Sequence, residues 1–134
     1  MYHFGKGGIS MEVTWFGAKE REGIASFYSS NITLNTVASY PLLDAYRVQV
    51  GKDELGRLLI VPVTKEKAES GVYDEYALLP YEVRRSFSRI NSSSLMRQLE
   101  KAYGLELSSQ PRKFPTHWDS KENILYVEMD KEVK

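Results

Sequence analysis

Between Arg84 and Lys113 the chain carries seven basic residues, Arg84, Arg85, Arg89, Arg97, Lys101, Arg112 and Lys113, against two acidic ones, Glu100 and Glu106. Such a local excess of positive charge suits contact with phosphates, because Lys and Arg that neutralise a nucleic-acid backbone release its condensed counterions. The planar guanidinium fork can in addition read the edge of guanine. Arg84, Arg85, Arg89, Arg97 and Lys101 are the candidate binding residues on this reading. The bland account of the same charges is a solvated face shared by a strand and a helix. Over the whole chain 18 basic residues balance 18 acidic ones, so electrostatic recognition has to be local.

Other chemistries are poorly supplied. Asn91, Ser92, Ser93 and Ser94 could bind a phosphate at a helix N-terminus, but helix capping explains them first. Gly5-Lys6-Gly7-Gly8 lacks the spacing and the following Ser or Thr of a phosphate loop. Cysteine is absent, which removes disulfides, thiolate ligands and a Cys nucleophile. The two histidines are His3 and His117, too few for a His-built metal centre within one chain. The carboxylate pairs Asp53 with Glu54, Asp74 with Glu75 and Asp119 with Glu122 fall in expected turns, where such residues are common anyway. Trp15, Trp118 and Phe114 read as core or rim packing rather than base-stacking platforms. No catalytic residue, metal ligand or cofactor is assigned, and the chain is not read as an enzyme.

The elements that position the basic residues follow from pattern. A length of 134 residues with 42% hydrophobic content fits one globular domain. The longest apolar run, Leu58 to Val63, contains a proline and is far too short to span a bilayer, so a cytoplasmic protein without membrane contact is expected. Met1 to Met11 is Gly-rich and unpatterned. It reads as a leader, disordered or derived from a tag, ahead of a single domain over residues 12–134.

Within that domain, Val13 to Phe16 suits a strand, and charged residues with Gly23 then make a turn. Ile24 to Leu34 reads as one strand with a polar interruption at Ser29, Ser30 and Asn31. Asn35 or Thr36 is a suitable N-cap for a short helix over Val37 to Leu43, which Pro41 limits to its first turns. Tyr46, Val48 and Val50 alternate with polar residues as in a half-buried strand. After a turn at Gly51 to Gly56, Leu58 to Val63 returns as the second arm of a hairpin. Thr64 to Ser70 is a short helix or loop, followed by a Tyr-rich connection.

The second half repeats this order. Tyr81 to Ile90 reads as a polar strand, and Leu95, Met96, Leu99, Ala102 and Tyr103 form one helical stripe ended by Gly104. Pro111 to Trp118 and Ile124 to Met129 bracket five turn-forming polar residues. Placing Ile32 over Ile90 aligns the two halves, with pseudo-repeats near 24–63 and 81–129. On the strand over Tyr81 to Ile90, apolar Tyr81, Val83 and Phe87 share their parity with Arg85 and Arg89, a conflict that requires those arginines to emerge at a strand end or bulge.

The stretch Asn31 to Val63, NITLNTVASYPLLDAYRVQVGKDELGRLLIVPV, resembles the AbrB-like swapped-hairpin domain, with its "ITLP"-type strand, short helix, "D.V.V" strand and "GR..I.P" strand. Arg89 to Met129 is similar to a second, weaker copy, and tandem copies resemble the MraZ branch. Asn35 and Ser93 stand where the family often has a helix-starting Pro. A competing phase exists, since Asp53 to Pro62 resembles the "D.KGR..IP" segment that precedes the helix in MraZ-like repeats, but Thr64 to Ser70 lacks an amphipathic stripe.

The resemblance implies an α+β fold, a small β-barrel closed by two tandem strand-helix-hairpin (βαββ) halves. It also implies self-association and a DNA-binding transcriptional regulator whose partner is duplex DNA. The alternative is a protein-interaction or assembly module without nucleic-acid affinity, motivated by the zero net charge and the nine tyrosines.

Overall fold

The computed structural model describes residues 22–74 and 77–134, and residues 2–6 and 9–13 as paired strands. Tyr2–Lys6 (β1) and Ile9–Val13 (β2) form a two-stranded antiparallel sheet of their own, separate from the barrel that follows. The rest of the strand expected over Val13 to Phe16, and most of the turn after it, lie outside the described residues.

Asn35 shows how local chemistry punctuates this chain. Its backbone is extended, and its Oδ1 accepts the Ala38 N–H at 3.0 Å, capping a helix over Thr36–Ser39 (α1). The same oxygen accepts the Ile24 N–H, and Nδ2 donates to the Glu22 carbonyl. One amide thus ends a strand, starts a helix and ties down the preceding segment. Pro41 then enters a 3-10 turn over Tyr40–Leu42, a position where its missing N–H does no harm.

The two long strands expected at the head of each half are hairpins. Ile24–Phe27 (β3) and Asn31–Asn35 (β4) pair antiparallel around residues 28–30, so the polar interruption is the turn itself. Leu79–Val83 (β7) and Phe87–Asn91 (β8) pair around residues 84–86. This removes the parity conflict: crossing the turn resets the alternation, so Ser88 and Ile90 point inward while Phe87 and Arg89 point outward. The order is therefore hairpin, helix, hairpin over 24–63 and again over 79–127, and the strand-helix-hairpin order expected for these stretches is corrected accordingly.

The remaining elements fall close to expectation. Arg47–Lys52 (β5) and Leu58–Val63 (β6) form a hairpin, and Thr64 caps the short helix Lys65–Glu69 (α2). Ser92 caps Ser93–Tyr103 (α3), which buries Leu95, Met96 and Leu99. Gly104 ends it in the left-handed region at φ 63°, where a side chain would be strained. Arg112–Asp119 (β9) and Ile124–Val127 (β10) complete the chain's last hairpin.

The eight strands β3 to β10 close into an antiparallel barrel in the order β10-β6-β5-β7-β8-β4-β3-β9. Besides the four hairpins, closure requires four pairings between strands that are not consecutive, β3 with β9, β4 with β8, β5 with β7 and β6 with β10. It leaves no free sheet edge. Inward residues from seven of the eight strands share one cluster: Ala25, Phe27, Ile32, Leu34, Val48, Leu58, Ile60, Ile90, Phe114, Leu125 and Val127, with Ala38, Leu42, Leu95, Met96 and Leu99 from the helical segments; β7 adds the partly buried Leu79 and Tyr81. Phe27 and Phe114 meet at 5.1 Å between ring centroids, a tilted arrangement that suits the ring quadrupoles. Among the described residues no helix is long and apolar enough to cross a membrane.

Candidate nucleic-acid interface

The basic residues singled out from the sequence fall into separate groups. Arg84 and Arg85 occupy the β7–β8 turn, and both are exposed. That turn is held by the Arg84 N–H to the Phe87 carbonyl at 2.8 Å, and by the Thr36 hydroxyl, which donates to the Ser86 carbonyl at 2.7 Å. The tip is thus anchored to the first turn of α1 rather than left as a free loop. Arg89 lies on the outer face of β8, half-exposed.

Glu82, on the neighbouring strand, organises two of these side chains. Its carboxylate takes the Arg84 guanidinium at 3.0 Å through one oxygen and lies 3.5 Å from the Arg89 Nη1 through the other. The Asn91 amide reaches the same oxygen at 3.4 Å. Arg89 also rests its guanidinium over the Phe87 ring at 5.0 Å, and its Nε is buried without a hydrogen-bond partner. Arg85 has no ion pair among the described residues, so it presents its full charge to solvent.

Arg97 and Lys101 sit four residues apart on the exposed side of α3, opposite Leu95, Met96 and Leu99. The nearby Glu100 carboxylate is committed elsewhere, accepting the Leu107 N–H at 3.0 Å. The β7–β8 turn precedes β8 and α3 follows it, so the two basic groups leave opposite ends of one five-residue strand, roughly 17 Å long. They do not form one continuous patch along that strand. Arg112 is withdrawn from the basic set. Glu132 grips it through two bonds of 2.7 and 3.0 Å, which raises the Arg112 pKa and holds the Glu132 carboxyl below its usual value. Lys113 stays exposed on β9.

Between the arginine face and the β3–β4 turn lies a shallow trough of about 330 Å³, lined by Tyr28, Asn31, Thr33, Phe87 and Arg89. A larger one of about 480 Å³ lies beside the start of α3, lined in part by Gln49, Ser92, Ser94 and Gln98. The trough residues Asn31, Thr33 and Phe87, together with Glu82, were missed in the sequence because their face became defined only when β4 met β8. The local signal for Glu82 was its position between Tyr81 and Val83 on a strand that turns at Arg84-Arg85-Ser86. Among the described residues no group of His, Asp or Glu is arranged to hold a metal ion. No family model, curated protein or solved structure matches this chain.

Proposed function

We propose that the chain is a DNA-binding transcriptional regulator of the AbrB or MraZ type, its barrel built from two tandem halves, β3 to β6 and β7 to β10. Support for the tandem reading comes from the strand order: exchanging each strand of one half for its counterpart in the other leaves the closed order unchanged. The register agrees, since Ile32 and Ile90, which align at the repeat offset, are paired across β4 and β8. A pseudo-two-fold axis through that pair accounts for both.

The observation that carries the DNA-binding reading is the anchored basic tip. A hairpin turn tied down by Thr36 presents Arg84 and Arg85 without the ordering cost of a loose loop. Arg97 and Lys101 would add phosphate contacts from α3. The test is a salt titration of binding to random duplex DNA. A phosphate binder loses affinity steeply as salt rises, and changing Arg84 and Arg85 to Ala should flatten that dependence more than changing Lys65 and Lys67. No binding in low salt would overturn the reading.

One observation favours the assembly module as a second reading. Val37, Tyr40, Leu43 and Tyr46 are exposed large hydrophobic residues within ten positions of each other, Tyr40 at 75%. Clustered apolar exposure of this kind marks interaction surfaces. A homo-oligomer is expected on either reading, and light scattering that finds only monomer at tens of micromolar, on the usual affinity scale, would count against it.

A further inference from the structure

We propose that the outer face of the β4–β8 strand pair reads base edges in duplex DNA, with Arg89 as the residue that recognises guanine. This rests on the DNA-binding reading above and extends it from affinity to sequence preference.

The register defines the face. Asn31 lies opposite Asn91, Thr33 opposite Arg89, and Asn35 opposite Phe87, all with side chains outward, while Ile32, Leu34, Ser88 and Ile90 fill the interior. Asn and Arg are the side chains whose paired donors and acceptors match adenine and guanine in the major groove, and Thr suits the thymine methyl. Asparagine is a poor strand former, so its repeated occurrence on one strand pair calls for a reason. Asn35 has one, because both ends of its amide are committed to capping and to Glu22. Among the described residues the side-chain bonds of Asn31 and Asn91 run to Ser30, Thr33 and Glu82, which are exposed or partly exposed neighbours.

Arg89 is built for reading rather than steering. The Phe87 ring lies 5.0 Å from its guanidinium and the Glu82 carboxylate 3.5 Å from Nη1, two contacts that bias the fork towards one orientation before any ligand arrives. The carboxylate beside it lowers its attraction for phosphates, while the outward N–H groups at the end of the fork, on a side chain 36% exposed, can still take acceptors; the Nε is buried and has no part in this. The O6 and N7 of guanine are such acceptors. Arg85, unpaired at the adjacent turn, has the opposite character and suits the backbone.

An antiparallel strand pair is an established shape for the major groove, and barrel curvature tips β3 and β7 back from the crest formed by β4 and β8. The trough beside Arg89, walled by Tyr28 and Phe87, leaves room for a protruding base edge.

The experiment is selection from a random duplex pool in low salt with the full-length protein and with Arg89→Ala, using Arg85→Ala as the control. The unmodified protein should enrich a motif containing guanine. Arg89→Ala should lose about tenfold of preference at one position of that motif while keeping affinity for unselected duplex at least as well as Arg85→Ala. If Arg89→Ala fails to fold, Arg89→Lys removes the fork while keeping the charge, and the same loss is expected. Binding without sequence preference, or an unchanged motif in the Arg89 variant, overturns this proposal and leaves the DNA-binding reading standing. Absence of any duplex binding overturns both.

Discussion

The hydroxyls of Ser39 and Ser88 meet at 2.7 Å inside the core, joining α1 to β8 across 49 residues of sequence. Ser39 is 3% exposed and Ser88 0%, so neither has water to fall back on. Ser39 donates its own proton to the Leu34 carbonyl at 3.0 Å, which makes Ser88 the donor between the two. Ser39→Ala should therefore cost about 1–3 kcal/mol, since it strands the buried Ser88 donor, and Ser88→Ala, which leaves Ser39 its bond to Leu34, should cost less. Urea denaturation of the double variant should show a loss smaller than the two singles combined. Strict additivity would mean that the pair does not act as a unit.

Gly23 is a position of close approach. A Cβ there would collide with the Thr116 hydroxyl and press on Ala38, and the Gly23 carbonyl is already bonded to the Thr116 N–H at 2.9 Å. Gly23→Ala should lower stability by about 1–3 kcal/mol, as overpacking does. Adding Thr116→Ala removes the colliding oxygen and should restore most of the loss in thermal melts. A Gly23→Ala variant as stable as the parent would show that the β3–β9 contact yields freely.

The legible parts of this fold were those decided within a few residues. Ser92 before the stripe of Leu95, Met96 and Leu99, with Gly104 after it, fixes α3 from both ends, and the alternation of Val48 and Leu125 with their neighbours fixes strand faces. The hairpins at 24–35 and 79–91 were hidden because their turns are Tyr28-Ser29-Ser30 and Arg84-Arg85-Ser86, without the Gly, Asn or Pro that usually marks a tight turn. Closure was not legible at all from local pattern, since it depends on strands of one hairpin meeting those of another, β3 with β9, β4 with β8, β5 with β7 and β6 with β10.

The same holds for the candidate site. Counting charges found the arginines, but which of them is free depends on Glu82 across the β7–β8 ladder and on Glu132 beside Arg112.

The Arg112 and Glu132 pair ties the C-terminal segment to β9, alongside the bond from the Val133 N–H to the Lys113 carbonyl. Hydrogen bonding to Arg112 lowers the Glu132 pKa from its ordinary value of 4.5. A carboxyl depressed in the folded state contributes stability that is complete above its unfolded pKa and is lost as pH falls through the folded one. Glu132→Gln should therefore be less stable than the parent at pH 6, with the gap closing below about pH 4. The effect should be small, since both side chains remain partly solvated. A gap that widens on acidification would reverse the assigned sign.

Glu82 restrains the electrostatics of the basic tip, because one carboxylate faces both Arg84 and Arg89. If the tip binds phosphates, Glu82→Gln should raise affinity for random duplex DNA in low salt, where unscreened charge matters most. It should also steepen the salt dependence by about 0.9 for each phosphate newly neutralised. Sequence preference should move the other way, since Arg89 loses the partner that holds its Nη1 and keeps only the Phe87 ring. Affinity and specificity are thus expected to separate in a single variant: tighter binding to any duplex, weaker discrimination among sequences. A Glu82→Gln protein that binds random duplex no better than the parent would mean that Arg84 does not face the phosphates, and would leave Arg85, Arg97 and Lys101 to carry the interaction.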